Sequence, residues 1–433
     1  MENNYETRIV NYALQTCGFY PLRAMQLLVV DSQFAKAKST MMNIGALFKL
    51  DNSMDLERLA QAVNDLVNAY DIFHCRFAFH PGTDDVCQRF NGEIVPVTVE
   101  KISDEEFEQR KKYLQKPYNI INQPLYRIHI FETPTAKYFF IDFFHAIMDG
   151  ASVMILFWRE LDSRYRGKKI THAPLNYADF ILDEMKVSPE EFAEGSKFWM
   201  EMIKDFDATK HLPPPDVKDC PNPTSESFYF NVDTISQNFF KESHYQEHIF
   251  FLAASMLAIT KSNGSDSANM NWLHNGRNTM QERRLMGTMI EQYPICWKFE
   301  QDLSVGEFIS GIEAKMQECM KYRRSIGTAY QIGIDYDSAT FIFQKRVLGA
   351  LNTMMLGGKP AEILEIPINE FSVSENMLDI EVNLSEDGSY LVEFSYDTGT
   401  YSEDAMKKFS ATFNEVVQAM QDENRRIFTI LKG

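Results

Sequence analysis

Residues 139–152 read FFIDFFHAIMDGAS. The run up to Phe144 is almost continuously apolar and aromatic, broken only by Asp142, which predicts a strand buried on both faces at the centre of a sheet. That strand ends on His145, and Asp149-Gly150 follows as a turn signal before ASVMILFWRELDSRY (151–165). In the latter segment Ile155, Trp158, Leu161 and Tyr165 recur at helical spacing, so they are expected on one buried face. A histidine at a strand end is either a satisfied core residue or a reactive group held rigidly at a cleft, and spacing alone does not choose. As a reactive group, an imidazole with a pKa near about 6.5 takes a proton from an amine or hydroxyl at neutral pH, or positions its partners. Asp149 has two candidate jobs, orienting that ring or pairing with an arginine to fix the turn; its place four residues on favours the second. Gly150 allows either a backbone conformation or a close substrate approach that a side chain would block.

Working outward, the 433 residues are enough for one very large domain or two coupled lobes. The hydrophobic share of 45% is that of a globular protein, and no segment approaches the roughly 18 apolar residues of a membrane span. The start MENNYETRIVNY lacks the basic and apolar regions of a signal peptide, so a cytoplasmic location is expected; its Met and the final ILKG fit an independent chain. Cys17, Cys75, Cys87, Cys220, Cys296 and Cys319 have no metal-ligand spacing and read as reduced thiols, with no metal expected. A net charge of -18 argues against nucleic acid and anionic membranes as partners and leaves small molecules or proteins.

Strand and helix patterns alternate along the chain. MMNIGALFKL (41–50) reads as a strand, and Asp55 can cap a helix through LERLAQAVNDLVNAY. FHCRFAFH (73–80) and VCQRF (86–90) flank a PGTDD turn, and PLYRIHIFE (124–132) pairs with KYFFIDFFH (137–145) across a PTA turn. The pattern weakens over 181–227, where HLPPPDVKDCPNPTSES is rich in Pro, Asp and Ser. The expected division is therefore an N-terminal lobe over 1–180, a crossover over 181–227 and a C-terminal lobe over 228–433. The second lobe shows helices around HIFFLAASMLAIT and LSVGEFISGIEAKMQECMKYRR, strands around MNWLHNG, ENMLDIEVNLSE and SYLVEFSYDT, and a last helix, SEDAMKKFSATFNEVVQAMQ.

These features together resemble the condensation domains of nonribosomal peptide synthetases, members of the chloramphenicol acetyltransferase-like acyltransferase superfamily. That family's central motif, His-His-x-x-x-Asp-Gly, stands here as Phe144-His145-Ala146-Ile147-Met148-Asp149-Gly150, followed by Ala151-Ser152. FYPLRAMQLLV (19–29) resembles the opening segment through Pro21 and Gln26, and Tyr70 to Phe77 a degraded version of the element after the first helix. KPYNIINQPLYRIHIF (116–131), NYADFI (176–181) with FWMEMI (198–203), and NGRNTMQERRLMGTMIEQYPI (275–295) follow in the family's order, the last through Gly276, Arg277, Gly287 and Pro294.

The resemblance implies an α/β fold, α+β two-layer sandwich lobes in a chloramphenicol acetyltransferase-like pseudo-dimer, V-shaped, with a central tunnel and His145 at its middle. It implies attack of an amine or hydroxyl acceptor on a thioester-linked acyl donor, without a covalent acyl-enzyme, and no permanently bound cofactor. The donor would be carried on the phosphopantetheine arm of an acyl or peptidyl carrier protein, or as acyl-CoA. His145 would be catalytic; Asp149, Gly150 and Arg277 would be structural members of the site, with Asp149 and Arg277 expected to pair across the lobes. Lys111-Lys112 and Lys321 to Arg324 are the basic stretches available for docking an acidic carrier, against the plainer reading of solvated lysines. Four sequence positions depart from the family: Phe144 for the first motif histidine, Glu291 for an asparagine, and Cys296-Trp297 where Leu-Arg is common. Three readings stay open: a carrier-dependent condensation enzyme, an acyl-CoA-dependent O- or N-acyltransferase, and a noncatalytic relative that recruits a partner.

Overall fold

The computed structural model describes residues 18–168, 175–204, 211–221, 223–332, 338–344, 353–367, 369, 371, 378–385 and 387–432. The N-terminal stretch read above for a signal peptide, and Cys17, lie outside the described residues. Two compact units make up the chain: residues 1–189, 275–290 and 350–372 form the first, and 190–274, 291–349 and 373–433 the second. Among the described residues each unit is built on a six-stranded mixed sheet packed with helices, and the class is mixed α/β as expected.

In the first unit the sheet order is Thr353–Leu356, Lys359–Leu364, Asn43–Leu50, Lys137–Phe144, Tyr126–Glu132 and Val99–Lys101. All neighbours are antiparallel except the last pair. Lys137–Phe144 is therefore an interior strand, and its residues 139–144 are all buried, which is why it reads as an unbroken apolar run. Its one carboxylate has a partner set of its own. Asp142, fully buried, accepts from Arg127 at 2.8 Å and from the Asn43 amide at both oxygens, while Arg127 lies over the Tyr118 ring at 3.8 Å and donates to the carbonyls of Lys116 and Pro117. Burial pushes the Asp142 carboxyl up to about 6, against the pull of Arg127, Asn43 and Tyr118.

The helix Leu56–Ala69 is capped by Asp55, whose side chain accepts from the Arg58 amide, and it buries Leu59, Val63, Leu66 and Val67. Cys75–Phe79 and Val86–Phe90 form the expected antiparallel pair, but within a separate three-stranded sheet completed by Tyr20–Pro21. The expectation for 151–165 needs correction at Ile155, which is 48% exposed. Residues Ser152–Phe157 form a π-helical turn before the α-helix Trp158–Tyr165. The wider turn shifts the side-chain phase, so Val153, Leu156 and Phe157 face inward instead.

The second unit's sheet runs Glu291–Lys298, Ser267–His274, Thr340–Gln344, Leu378–Leu384, Tyr390–Asp397 and Ser225–Asn231, with the middle strand Thr340–Gln344 parallel to both its neighbours. The helices Glu247–Asn263, Val305–Lys321 and Glu403–Ala419 match the expected segments; Ser304 and Ser402 cap the last two. Residues 181–227, expected as a crossover, also contain the helix Pro189–Ile203, whose fully buried Trp199 donates its indole N–H to the Tyr322 carbonyl at 3.0 Å. No helix among the described residues is long and apolar enough to cross a membrane.

Candidate functional site

His145 leaves the interior strand with its backbone held on both sides. Its amide donates to the Met42 carbonyl at 2.8 Å, and its carbonyl accepts from the Thr288 hydroxyl. The side chain is partly exposed, yet Nδ1 is buried and has no hydrogen-bond partner among the described residues. Burial pushes the imidazole below the usual histidine range, only partly offset by its own backbone and the Asp149 charge. A ring in this state is neutral at pH 7 and keeps one nitrogen free to take a proton.

Asp149 does not orient that ring. Its carboxylate, fully buried, receives Nη1 of Arg277 at 2.8 Å on one oxygen and Nη2 at 3.0 Å on the other. The same two oxygens accept from the amides of Met289 (2.8 Å) and Ser152 (2.7 Å). Burial alone would raise this acid, but the Arg277 guanidinium and the two amides more than compensate and hold it below the ordinary carboxylate range. Of the two jobs weighed for Asp149, the arginine pair is the one made. Arg277 belongs to the same compact unit as Asp149, so the pairing expected across the lobes is instead internal to one unit, because residues 275–290 return to the first sheet's unit.

Ser152 completes the brace. Its hydroxyl donates to the Gly287 carbonyl at 2.7 Å and accepts from the Gly287 amide (3.0 Å) and from Arg277 Nη2 (2.7 Å). The 275–290 segment is pressed close by backbone geometry that only glycine supplies. Gly276 has φ +64°, and an added Cβ would lie 1.6 Å from the Met289 carbonyl oxygen; at Gly287 it would meet the Tyr177 ring at 2.4 Å. Behind it, the Thr288 carbonyl accepts from Tyr177 Oη (2.7 Å) and Arg23 Nη1 (2.9 Å), and Arg23 also pairs with Glu184. Gln26 donates to the Ala146 carbonyl at 2.8 Å and is bonded to the equally buried Gln88. Sequence reasoning named Ser152, Tyr177 and Gln26 only as parts of motifs, and it missed Thr288, Arg23 and Gln88. Their signal was weak because each acts through a backbone group that no residue pattern reveals.

Gly150 behaves differently from its sequence reading in one respect. Its φ is not in the left-handed region, so no special backbone conformation requires glycine there. An added Cβ would touch nothing within 4 Å, so no neighbouring protein atom requires glycine there either. Phe144 is fully buried, edge-on to Phe77 and tilted against Tyr118, so the residue in the first motif position belongs to the apolar core. Glu291 is buried and accepts from the Tyr293 hydroxyl; Cys296 donates to Asn269 at 3.2 Å, and its burial pushes the thiol up to about 12. Lys315 sits over the Trp297 ring at 5.7 Å. Of the docking candidates, Lys321 is exposed and bonded to Glu194 and to the Tyr322 hydroxyl.

Comparison with known proteins gives this geometry a family. The chain is 20% identical over 430 residues to tyrocidine synthase 3 of Brevibacillus parabrevis, covering 94% of this chain and 6% of that protein. It spans 5 to 7% of the length of the first curated relatives it matches. Its fold is similar to that of the condensation domain of the monacolin K polyketide synthase MokA (TM-score 0.74, 16% identity, 94% of this chain and 99% of that one). It is similar also to the X-domain from teicoplanin biosynthesis (TM-score 0.76, 14% identity, 96% and 98%). Residues 16–427 match the family model described as Condensation domain, and the chain belongs to that family.

Proposed function

We propose that this chain catalyses acyl transfer by condensation, in which an amine or hydroxyl acceptor attacks the carbonyl of a thioester-linked acyl donor. The nitrogen or oxygen of the acceptor forms the new bond to the acyl carbon, the carbon–sulfur bond breaks, and the thiol leaves with a proton. Peptide synthetases among the relatives support a donor held on the phosphopantetheine arm of a carrier domain. Most of the rate would come from holding two reactants together, an effect worth up to roughly 7–11 kcal/mol in favourable cases. The observation that carries the reading is the neutral, incompletely partnered imidazole of His145 at the end of a rigid interior strand. His145 would take the acceptor's proton or hold the tetrahedral intermediate, Asp149 and Arg277 would fix the turn that presents it, and Gly150 would leave room for substrate.

The test is transfer from acyl-carrier and acyl-CoA thioesters to a panel of amines and alcohols, with products identified by mass. His145→Ala is expected to lower kcat/KM about 10²-fold or more with an unchanged circular dichroism spectrum; full activity in that variant would end the assignment. Donation from free CoA thioesters as fast as from carriers would favour the CoA-dependent reading, and no transfer from any donor the noncatalytic one. Since the folded ring titrates below the ordinary 6.5, the acid limb of kcat/KM is expected below that pH. A limb at or above it would mean that the reacting imidazole is stabilised as a cation.

A further inference from the structure

His145 stands where the sheet stops holding the chain. The ladder between Asn43–Leu50 and Lys137–Phe144 ends with the pair Asn43 and Phe144, so the carbonyls of residues 145 and 146 lie past the last strand pair. Backbone acceptors in such a place need a donor from elsewhere. Two side chains from distant segments supply it: Gln26 Nε2 donates to the Ala146 carbonyl at 2.8 Å, and the Thr288 hydroxyl donates to the His145 carbonyl. The first contact holds a residue whose side chain has no chemistry. The second holds the residue that carries the imidazole.

Thr288 is itself held on every side. It is fully buried, Ser152 bonds both polar groups of Gly287 before it, and Asp149 accepts from the Met289 amide after it. The Thr288 carbonyl takes Tyr177 Oη and Arg23 Nη1, and Arg23 is in turn paired with Glu184 and lies over the Phe180 ring at 5.1 Å. A β-branched side chain on so fixed a backbone has little rotamer freedom, and a buried hydroxyl is costly unless it is bonded. Its direction is therefore set, and it is set on the His145 carbonyl. We propose that Thr288 is a positioning residue for His145: its hydroxyl fixes the carbonyl of residue 145 and, through that peptide group, the direction in which the imidazole leaves the end of the strand. Its effect on turnover rests on the acyl-transfer reading; its effect on the ring does not.

The ring carries a signature of this contact. After burial, which makes the imidazole less basic, the next influence is a backbone group of His145 itself, which makes it more basic, followed by the charge of Asp149. A group that favours the charged ring accepts from it, and the one backbone acceptor of residue 145 is the carbonyl that Thr288 occupies. Hydroxyl and ring thus share one oxygen. The charged groups on the surrounding elements are engaged with one another, Asp149 with Arg277, Asp142 with Arg127 and Arg23 with Glu184. Removing the hydroxyl leaves the whole acceptor to the protonated ring, so the imidazole becomes more basic.

The test is a proton titration of His145 in the whole chain, followed by NMR of isotope-labelled histidine and assigned by the signal lost in His145→Gln. Thr288→Val keeps the shape and lacks the donor, Thr288→Ala lacks the donor in a smaller side chain, and Thr288→Ser keeps the donor without the methyl. The first two variants are expected to titrate about half a pH unit or more above the parent, and the third with the parent. With an acyl-carrier donor and an amine acceptor, Thr288→Val is expected to lower kcat about tenfold or more with little change in KM and to move the acid limb of kcat/KM upward; Thr288→Ser restores both. The proposal is overturned if the two donor-less variants titrate with the parent or below it, or if Thr288→Ser titrates with Thr288→Val. A parent that transfers from no donor would end the acyl-transfer reading and leave the ring titration to decide the role of Thr288.

Discussion

Two carboxylates, the fully buried Asp149 in the first unit and the partly buried Glu381 in the second, meet opposite environments. Asp149 receives two guanidinium N–H groups and two backbone amides, and it titrates below its ordinary range. Glu381 faces two other carboxylates, has one carboxamide beside it, and titrates near 7. Burial is a penalty for the charged form in both, so what separates them is the supply of donors. A carboxylate whose lone pairs are all used is fixed and can act only as a brace. One whose neighbours are themselves acceptors favours its protonated form.

The largest effect that would break this contrast is in the brace. Arg277→Ala leaves Asp149 buried with two amides but no cation, and about 3–5 kcal/mol of stability should be lost, read as a lower urea midpoint at unchanged slope. A loss below about 1 kcal/mol would mean that the amides alone carry the charge and that the pair is incidental. Because the Asp149 carboxyl is held below its ordinary 3.8, its contribution is present above that pH and fades only as pH falls through the lower folded value. The parent's own Asp149 contribution is therefore constant through the neutral range.

Ser152→Ala probes the same brace at smaller scale. It removes the hydroxyl that serves both polar groups of Gly287 and one Nη of Arg277, so an expected cost of about 1–3 kcal/mol follows from leaving buried groups unbonded. Since the segment bearing Thr288 would loosen as well, kcat/KM should fall while the far-ultraviolet spectrum stays the same. Unchanged turnover would place the catalytic backbone geometry in the strand alone.

Much of this was legible in the chain. Lys137–Phe144 declared itself through apolar residues on both faces, and helices with a capping Asp or Ser and a regular apolar stripe emerged within a few residues of their predicted ends. The hairpin Thr353–Leu356 with Lys359–Leu364 was not read, because its place in the sheet is set by pairing of Lys359–Leu364 with Asn43–Leu50, some 300 positions away in sequence. The phase of Ile155 was lost to a π turn, which local periodicity cannot announce. In the site, His145 and Asp149 stood out by residue type and Arg277 through the family resemblance, whereas Thr288 and the Met289 amide act through a hydroxyl-to-backbone and a backbone-to-side-chain contact. Glu381 was hidden for another reason. Alternation in LDIEVNL is the ordinary pattern of a strand with one wet face, and nothing local shows that the opposing position is another glutamate.

The smallest effect sharpens the comparison most. Glu381 has a folded pKa above its ordinary 4.5, so its contribution to stability is present below that pH and is lost as pH rises through about 7. Glutamine reproduces the protonated form at every pH. Glu381→Gln should therefore match the parent at about pH 5 and exceed it at about pH 8, by on the order of 1 kcal/mol once solvent screening of a partly exposed group is allowed for. Chemical denaturation at the two pH values reads this directly. The sign matters more than the size, since the corresponding removal of charge at Asp149 must destabilise. If Glu381→Gln were destabilising at the higher pH, its carboxylate would have a donor set of its own, and the two carboxylates would be alike after all.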